Sequence, residues 1–161
     1  DVIVETGTAS GGSALYLSSL CDLVGHGEVI TIDVDARVGQ DRPVHPRLTY
    51  LVGSSTEPKV VDALKAKLGG RMSSLVILDS DHRKDHVLQE LQIYQQFVPV
   101  DGYLVVEDTN INGHPTYPEF GPGPMEALEE FLHGNDAFLP DPSCERFLLT
   151  MNPRGFLQRV K

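Results

Sequence analysis

The chain has 161 residues, 40% hydrophobic and 22% charged, with 13 basic against 23 acidic side chains and a formal charge of -10. That length suffices for one domain burying roughly two thirds of its unfolded surface without disulfides or a structural metal, and the composition excludes a disordered or fibrous class. The acidic balance, in which no basic run exceeds Arg83-Lys84, argues against nucleic acid, and no stretch approaches the roughly 18 apolar residues of a membrane span.

The chain opens on Asp1-Val2-Ile3-Val4, already a buried-strand pattern, with no Met and no signal-peptide pattern before it. The expectation is a domain whose N-terminal portion is not represented. The apolar run ends at Gly7, and residues 12–24 then repeat Ala14, Leu15, Leu17, Leu20 and Val24 at helical spacing. Cys21 falls within that pattern as a small buried thiol, and with Cys144 as its only companion the cysteine usage fits a reducing, cytoplasmic setting. After Gly25-His26-Gly27, residues 28–33 read as a second strand ending on Asp33, followed by a loop with Pro43 and Pro46. Residues 48–52 form a third strand ending at Gly53. Residues 58–68 form a helix with Pro58 in its first turn and Gly69-Gly70 past its end.

The alternation continues with a strand at 75–78, a helix at 84–97 and a strand at 103–106. Such apolar, β-rich runs belong to a parallel sheet covered by helices on both faces. A loop over 110–123 breaks the rhythm, and its length suits a functional segment; with Pro115, Pro118 and Pro122 it reads as a substrate-facing lid carrying His114, Tyr117 and Phe120. A helix follows from Pro124 to about 133. Residues 146–150 and 155–160 read as two antiparallel strands joined by Asn152-Pro153-Arg154-Gly155. The whole is an α/β, doubly wound, Rossmann-like domain closed by an antiparallel C-terminal hairpin, the plan of the class I methyltransferases.

In doubly wound sheets ligands sit beyond the carboxyl ends of the strands where strand order reverses, beside the first strand. The loop there runs Glu5-Thr6-Gly7-Thr8-Ala9-Ser10-Gly11-Gly12-Ser13. Gly7, Ala9 and Gly12 approximate the dinucleotide fingerprint, but Ala stands where glycine lets backbone approach a pyrophosphate, and Glu5 would repel one. S-adenosylmethionine, which has no phosphate and carries a cationic portion that Glu5 could receive, fits better. The cofactor residues expected are Glu5, Thr6, Gly7, Ser13, Asp33 for the ribose hydroxyls with Asp35 in reserve, Ser54 beside the adenine, and Asp79. The alternative role for Asp33 is to cap the segment after it, and Ser55 or Thr56 could equally cap the helix from Pro58.

Strands four and five end in Asp79-Ser80-Asp81-His82 and Glu107-Asp108-Thr109-Asn110. Neighbouring parallel strands bring these tips together, so three or four carboxylates among Asp79, Asp81, Glu107 and Asp108 converge and raise one another's pKa unless a cation compensates them. Oxygen ligands without Cys or paired His favour Mg²⁺ or Mn²⁺ over Zn²⁺.

With Val4-Glu5-Thr6-Gly7-Thr8, Gly11-Gly12-Ser13, Leu78-Asp79-Ser80-Asp81-His82, Val106-Glu107-Asp108-Thr109-Asn110 and Gly121-Pro122-Gly123-Pro124-Met125-Glu126-Ala127 in hand, the whole chain resembles the cephalosporin hydroxylase family. That family has a methyltransferase fold and is related to magnesium-dependent sugar O-methyltransferases of macrolide and rhamnosyl types. The resemblance implies Asp79, Glu107 and Asp108 as Mg²⁺ ligands and His82 as the base, with Asp81 a ligand under a one-residue shift of alignment; His86, four residues beyond His82 on the same helix face, is the fallback base. It also implies a hydroxyl on a sugar, glycolipid or natural product as acceptor, and an N-terminal region that covers the site or forms homo-oligomers. The rival readings are an NAD(P)-dependent oxidoreductase using the same loop, a protein of hydroxylation or methoxylation chemistry, and a catalytically silent cofactor-binding module.

Overall fold

The computed structural model describes residues 2–36, 41–147 and 149–161. Strand β1 (Val2–Thr6), helix α1 (Gly12–Val24), β2 (Glu28–Asp33), β3 (Leu48–Val52), α2 (Pro58–Leu68), β4 (Leu75–Leu78), α3 (Lys84–Tyr94) and β5 (Tyr103–Val106) follow in order. A 3-10 turn, Gln95–Phe97, extends α3; then come α4 (Pro124–Leu132), β6 (Phe138–Pro140), a 3-10 turn at Pro142–Glu145, and β7 (Phe156–Arg159). Asp1 and residues 37–40, which belong to the first strand and the second loop of the sequence pattern, lie outside the described residues.

The seven strands form one sheet in the order β3-β2-β1-β4-β5-β7-β6. The first five run parallel, and β7 pairs antiparallel with both β5 and β6. Register aligns the side chains that make the core: Ile30, Val4, Val76, Leu104 and Leu157 stand in one row across five strands. All five are buried, and α2, α3 and α4 cover that row with Leu64, Leu91 and Leu128. Fully burying each such side chain contributes about 1.5–3 kcal/mol, so this face carries most of the apolar stabilisation. The opposite face is smaller. There α1 packs Ala14, Cys21 and Leu17 onto Ile3, Val29 and Leu48.

The C-terminal pairing corrects the sequence pattern. The partner of the last strand is β6, Phe138–Pro140, and not residues 146–150. Phe147 and Leu149 are more than four-fifths exposed, so that apolar run gains nothing from a ladder; Leu148 lies outside the described residues. Phe138, by contrast, is buried and packs its ring against Phe131 of α4 at 5.7 Å. The described residues contain no helix long and apolar enough to cross a membrane.

Candidate active site

Strand order reverses on either side of β1, which sits between β2 and β4, so a crevice opens where the loops after these strands part. The register continues past the strand ends: Gly7 N–H donates to the Ile32 carbonyl, Asp79 N–H to that of Thr6, and Glu107 N–H to that of Leu78. Asp33, Gly7, Asp79 and Glu107 therefore stand side by side at the carboxyl tips, about 4.8 Å per strand apart. Gly7 has φ +86°, and a Cβ there would lie 1.8 Å from the Asp79 carbonyl oxygen, so only glycine lets the two tips close.

A cavity of about 570 Å³ occupies the crevice, lined by Gly7, Asp33, Ser54 and Asp79 among others. Asp33 is held from three sides. Its Oδ2 accepts from Ala9 N–H at 2.8 Å and from Arg42 at 3.1 Å, and its Oδ1 accepts from Asp35 N–H at 2.8 Å. Arg42, itself buried, also donates to the carbonyls of Ala9 and Asp35, tying the first loop to the second. Three of the roughly four acceptor positions of the Asp33 carboxylate are thus engaged, leaving room for one further donor. Ser54 lines the wall. The Ser55 and Ser80 hydroxyls both meet His86 Nε2, at 3.2 and 3.1 Å, and Ser80 donates to the fully buried Glu90 at 2.8 Å. The Glu90 carboxylate, 3.6 Å away, lifts the His86 pKa although burial opposes this.

Glu5 corrects the sequence expectation. It is 1% exposed, accepts from Thr31 at 2.6 Å and bonds Ser13, and does not line the cavity. Burial raises its pKa, and the Ser13 and Thr31 hydrogen bonds act against that. It braces the loop from beneath: Thr8 bonds the same Thr31 hydroxyl at 2.7 Å. Among the described residues the buried Thr6 hydroxyl oxygen has no hydrogen-bond partner and the N-terminus of α1 has no side-chain cap; Ser13 is exposed in the first turn of that helix. Neither Ser55 nor Thr56 caps α2, which starts behind Glu57.

At the other end of Asp79 stands the acidic group. His82 lies between two carboxylates, its Nε2 3.2 Å from Asp79 Oδ1 and its Nδ1 3.4 Å from Asp108 Oδ2. The Asp79 hydrogen bond, and beyond it the Asp108 charge, raises its pKa against the effect of burial. One ligand atom from each of Asp79, His82 and Asp108 falls within 4.8 Å of the others. Glu107 adjoins them: burial raises its pKa, an Asn152 hydrogen bond lowers it, and the charges of Asp79 and Asp108 raise it again. Asp81 is not brought into this group. It turns to Arg83, which binds both of its oxygens, and that pairing brings its pKa down to about 2.

Asn152 is the residue that sequence reasoning missed. Buried on the segment before β7, it accepts from Asp108 N–H at 2.8 Å and donates to Glu107 Oε2 at 2.6 Å. Asp108 has φ +55°, a left-handed conformation that costs a non-glycine residue of order 1 kcal/mol or more and that Asn152 holds in place. Arg42 and Glu90 were likewise unsignalled, because their partners are remote in sequence. The carboxylates of Asp79, Glu107 and Asp108 repel one another around His82 and form an oxygen-rich cluster fit for a hard divalent cation.

The family model for Rhamnosyl O-methyltransferase/CmcI matches residues 1–160. A rhamnosyl O-methyltransferase of Mycobacterium bovis is 37% identical over 172 residues, covering 98% of this chain and 66% of the relative, and one of Mycobacterium leprae is 34% identical over 81% of this chain and 58% of the relative. The chain thus spans less than two thirds of the length of each of these curated relatives. A CmcI structure with Mg and SAM superposes with a TM-score of 0.69 at 19% identity over 99% of this chain and 65% of that one. A MycE methyltransferase structure with Mg and SAH from the mycinamycin pathway gives 0.67 at 17% identity over 99% and 45%. These two confirm the class I methyltransferase fold, and the family match with the 37% identity makes the assignment: the chain belongs to the Rhamnosyl O-methyltransferase/CmcI family.

Proposed function

We propose that the protein is an S-adenosylmethionine-dependent, Mg²⁺-dependent O-methyltransferase acting on a hydroxyl of a sugar, glycolipid or natural product. The observation that carries this reading is that Asp79 belongs to both halves of the site, lining the cavity with Asp33 and standing in one group with His82 and Asp108, beside Glu107. The rhamnosyl O-methyltransferase relatives and the Mg-bearing structures named above support it.

In this reading Asp33, with one acceptor position left, takes one ribose hydroxyl rather than both, Gly7 and Ser54 border the adenosine, and Asp79, Glu107 and Asp108 would hold the metal. The cluster fits the ion: burial first, and then the charges of Asp79 and Asp108, raise the Glu107 pKa, and a divalent cation removes the like-charge part of that conflict. When bound, the methyl donor supplies an electrophilic carbon and Mg²⁺ supplies charge that lowers the pKa of the acceptor hydroxyl. The chain's own residues do the rest. His82, whose two ring nitrogens face Asp79 and Asp108, would take the hydroxyl proton once a cation engages those carboxylates, a positioned base being worth about 10² to 10⁴ in rate. The crevice walls orient donor and acceptor, and orientation can supply on the order of 7 to 11 kcal/mol of the barrier. Asp81, paired with Arg83, serves the loop rather than the metal.

A cytoplasmic location accords with two free cysteines, and assembly as a homo-oligomer rests on the family resemblance. Calorimetric titration of the full protein with S-adenosylmethionine, S-adenosylhomocysteine and NAD, each with and without Mg²⁺, tests the reading. Binding of the adenosyl ligands with metal-dependent turnover of a rhamnoside is expected. Binding of NAD alone would replace it with the oxidoreductase.

A further inference from the structure

We propose that Tyr117 and Phe120 form an aromatic subsite that receives the apolar face of the acceptor's pyranose ring, making the loop between β5 and α4 the specificity element of the enzyme. The inference rests on the methyl-transfer reading for its location and names the acceptor's binding surface.

The two rings lie 5.7 Å apart, tilted at 59°, with Tyr117 60% exposed and Phe120 half-buried. Their position is fixed at both ends of the loop. It leaves the sheet at Asp108, where Ile111 N–H donates to the Asp108 carbonyl, and returns at Gly123. A Cβ on Gly123 would stand 3.3 Å from the His82 carbonyl oxygen and 3.4 Å from the Phe120 ring edge, so ring and base backbone flank the same glycine. Phe120 of the pair therefore lies across Gly123 from the backbone of His82, the residue read as the base.

The loop is braced rather than slack. Glu126 accepts from Asn112 at 2.9 Å, from His114 at 2.8 Å and from Gly123 N–H at 2.7 Å, while Asn112 accepts from Gly121 N–H at 3.1 Å. Burial opposes ionisation of Glu126, yet these donors together bring its pKa down to about 2. Tyr117 itself has φ +47°, a conformation a bulky residue rarely adopts. Backbone strain at a residue whose ring is exposed has no return in core packing, and strain of that kind concentrates at ligand clamps. An aromatic face carries partial negative charge and a pyranose presents polarised C–H bonds on its apolar face, so the two attract when stacked. A preorganised platform loses little entropy on binding.

The test is titration of the intact protein with methyl α-L-rhamnopyranoside in the presence of Mg²⁺ and S-adenosylhomocysteine, comparing wild type with Tyr117→Phe, Tyr117→Ala and Tyr117→Gly. The platform requires Tyr117→Phe to bind as wild type and both truncations to weaken binding by about three- to tenfold, in line with one aromatic contact. S-adenosylhomocysteine affinity stays unchanged throughout. Tyr117→Gly relieves the backbone strain, so its melting temperature stays level or rises while rhamnoside binding falls, a split that a merely structural tyrosine would not give. Rhamnoside binding that is absent from wild type, or untouched by Tyr117→Ala, overturns the subsite while leaving methyl transfer standing. Loss of S-adenosylhomocysteine binding in wild type overturns methyl transfer instead, and tyrosine-dependent rhamnoside binding would then still support the subsite.

Discussion

Replacing Asn152 by alanine tests whether the acidic group is held ready for its ion by a residue that touches neither ion nor substrate. The substitution removes the donor to Glu107 Oε2 at 2.6 Å and the acceptor for Asp108 N–H at 2.8 Å. A hydrogen bond to a charged group is worth about 1.5–3 kcal/mol, and an unpaired buried N–H costs about 1–3 kcal/mol. Water reaches the half-buried Asp108 and offsets part of this, so a net loss of about 3 kcal/mol follows. At about 2–4 °C per kcal/mol for a chain of this size, the melting temperature falls by about 6–12 °C. The same change takes away the one hydrogen bond that lowers the Glu107 pKa, leaving burial and the charges of Asp79 and Asp108 to raise it further. Mg²⁺ affinity then drops by about 10- to 100-fold, the range for a lost partner of a metal ligand. Scanning calorimetry with and without Mg²⁺, and Mg²⁺ titration, measure both quantities. A variant that melts within about 2 °C of wild type and binds Mg²⁺ equally well refutes the role assigned to Asn152.

His82→Ala is expected to lower kcat by about 10² to 10⁴ with S-adenosylhomocysteine affinity retained, and undiminished turnover would remove His82 as the base. The His86 pKa lies above 6.5 in the folded chain because of Glu90, so its contribution to stability is complete below pH 6.5 and is lost as pH rises through the raised value. The melting-temperature gap between wild type and His86→Gln therefore narrows with rising pH; a gap that does not change with pH would show that the pair contributes no linkage. Gly7→Ala drives a methyl group against the Asp79 carbonyl at φ +86° and should cost about 4 kcal/mol, read as a lower urea midpoint. An unchanged midpoint would mean that the two strand tips part without penalty.

Much of the fold is legible in the residues because the parallel strands are continuous apolar runs and the helices between them are punctuated by glycine and proline. Val76-Ile77-Leu78 and Pro58 with Gly69 carry their own boundaries. The last strand pair was misread for an equally local reason: residues 146–150 look like a strand, whereas β6 is only Phe138-Leu139-Pro140, too short for periodicity to register. Burial of Phe138 against Phe131 chose between them.

The sequence by itself determined which carboxylates end neighbouring strands, since the β-α alternation fixes where Asp33, Asp79 and Glu107-Asp108 emerge. Tertiary structure decided what each one meets. Asp79 and Asp81 are two residues apart and chemically alike, but only Asp79 turns toward His82, because Arg83 takes Asp81. Glu5, apparently a cofactor acid, is sealed beneath its loop by Thr31, a residue on another strand. Asn152 reaches Glu107 and Asp108 across 45 and 44 residues of chain. A hydrogen bond acts over about 3 Å in space and leaves no period or spacing along the chain, so these choices could be read only once the chain had folded.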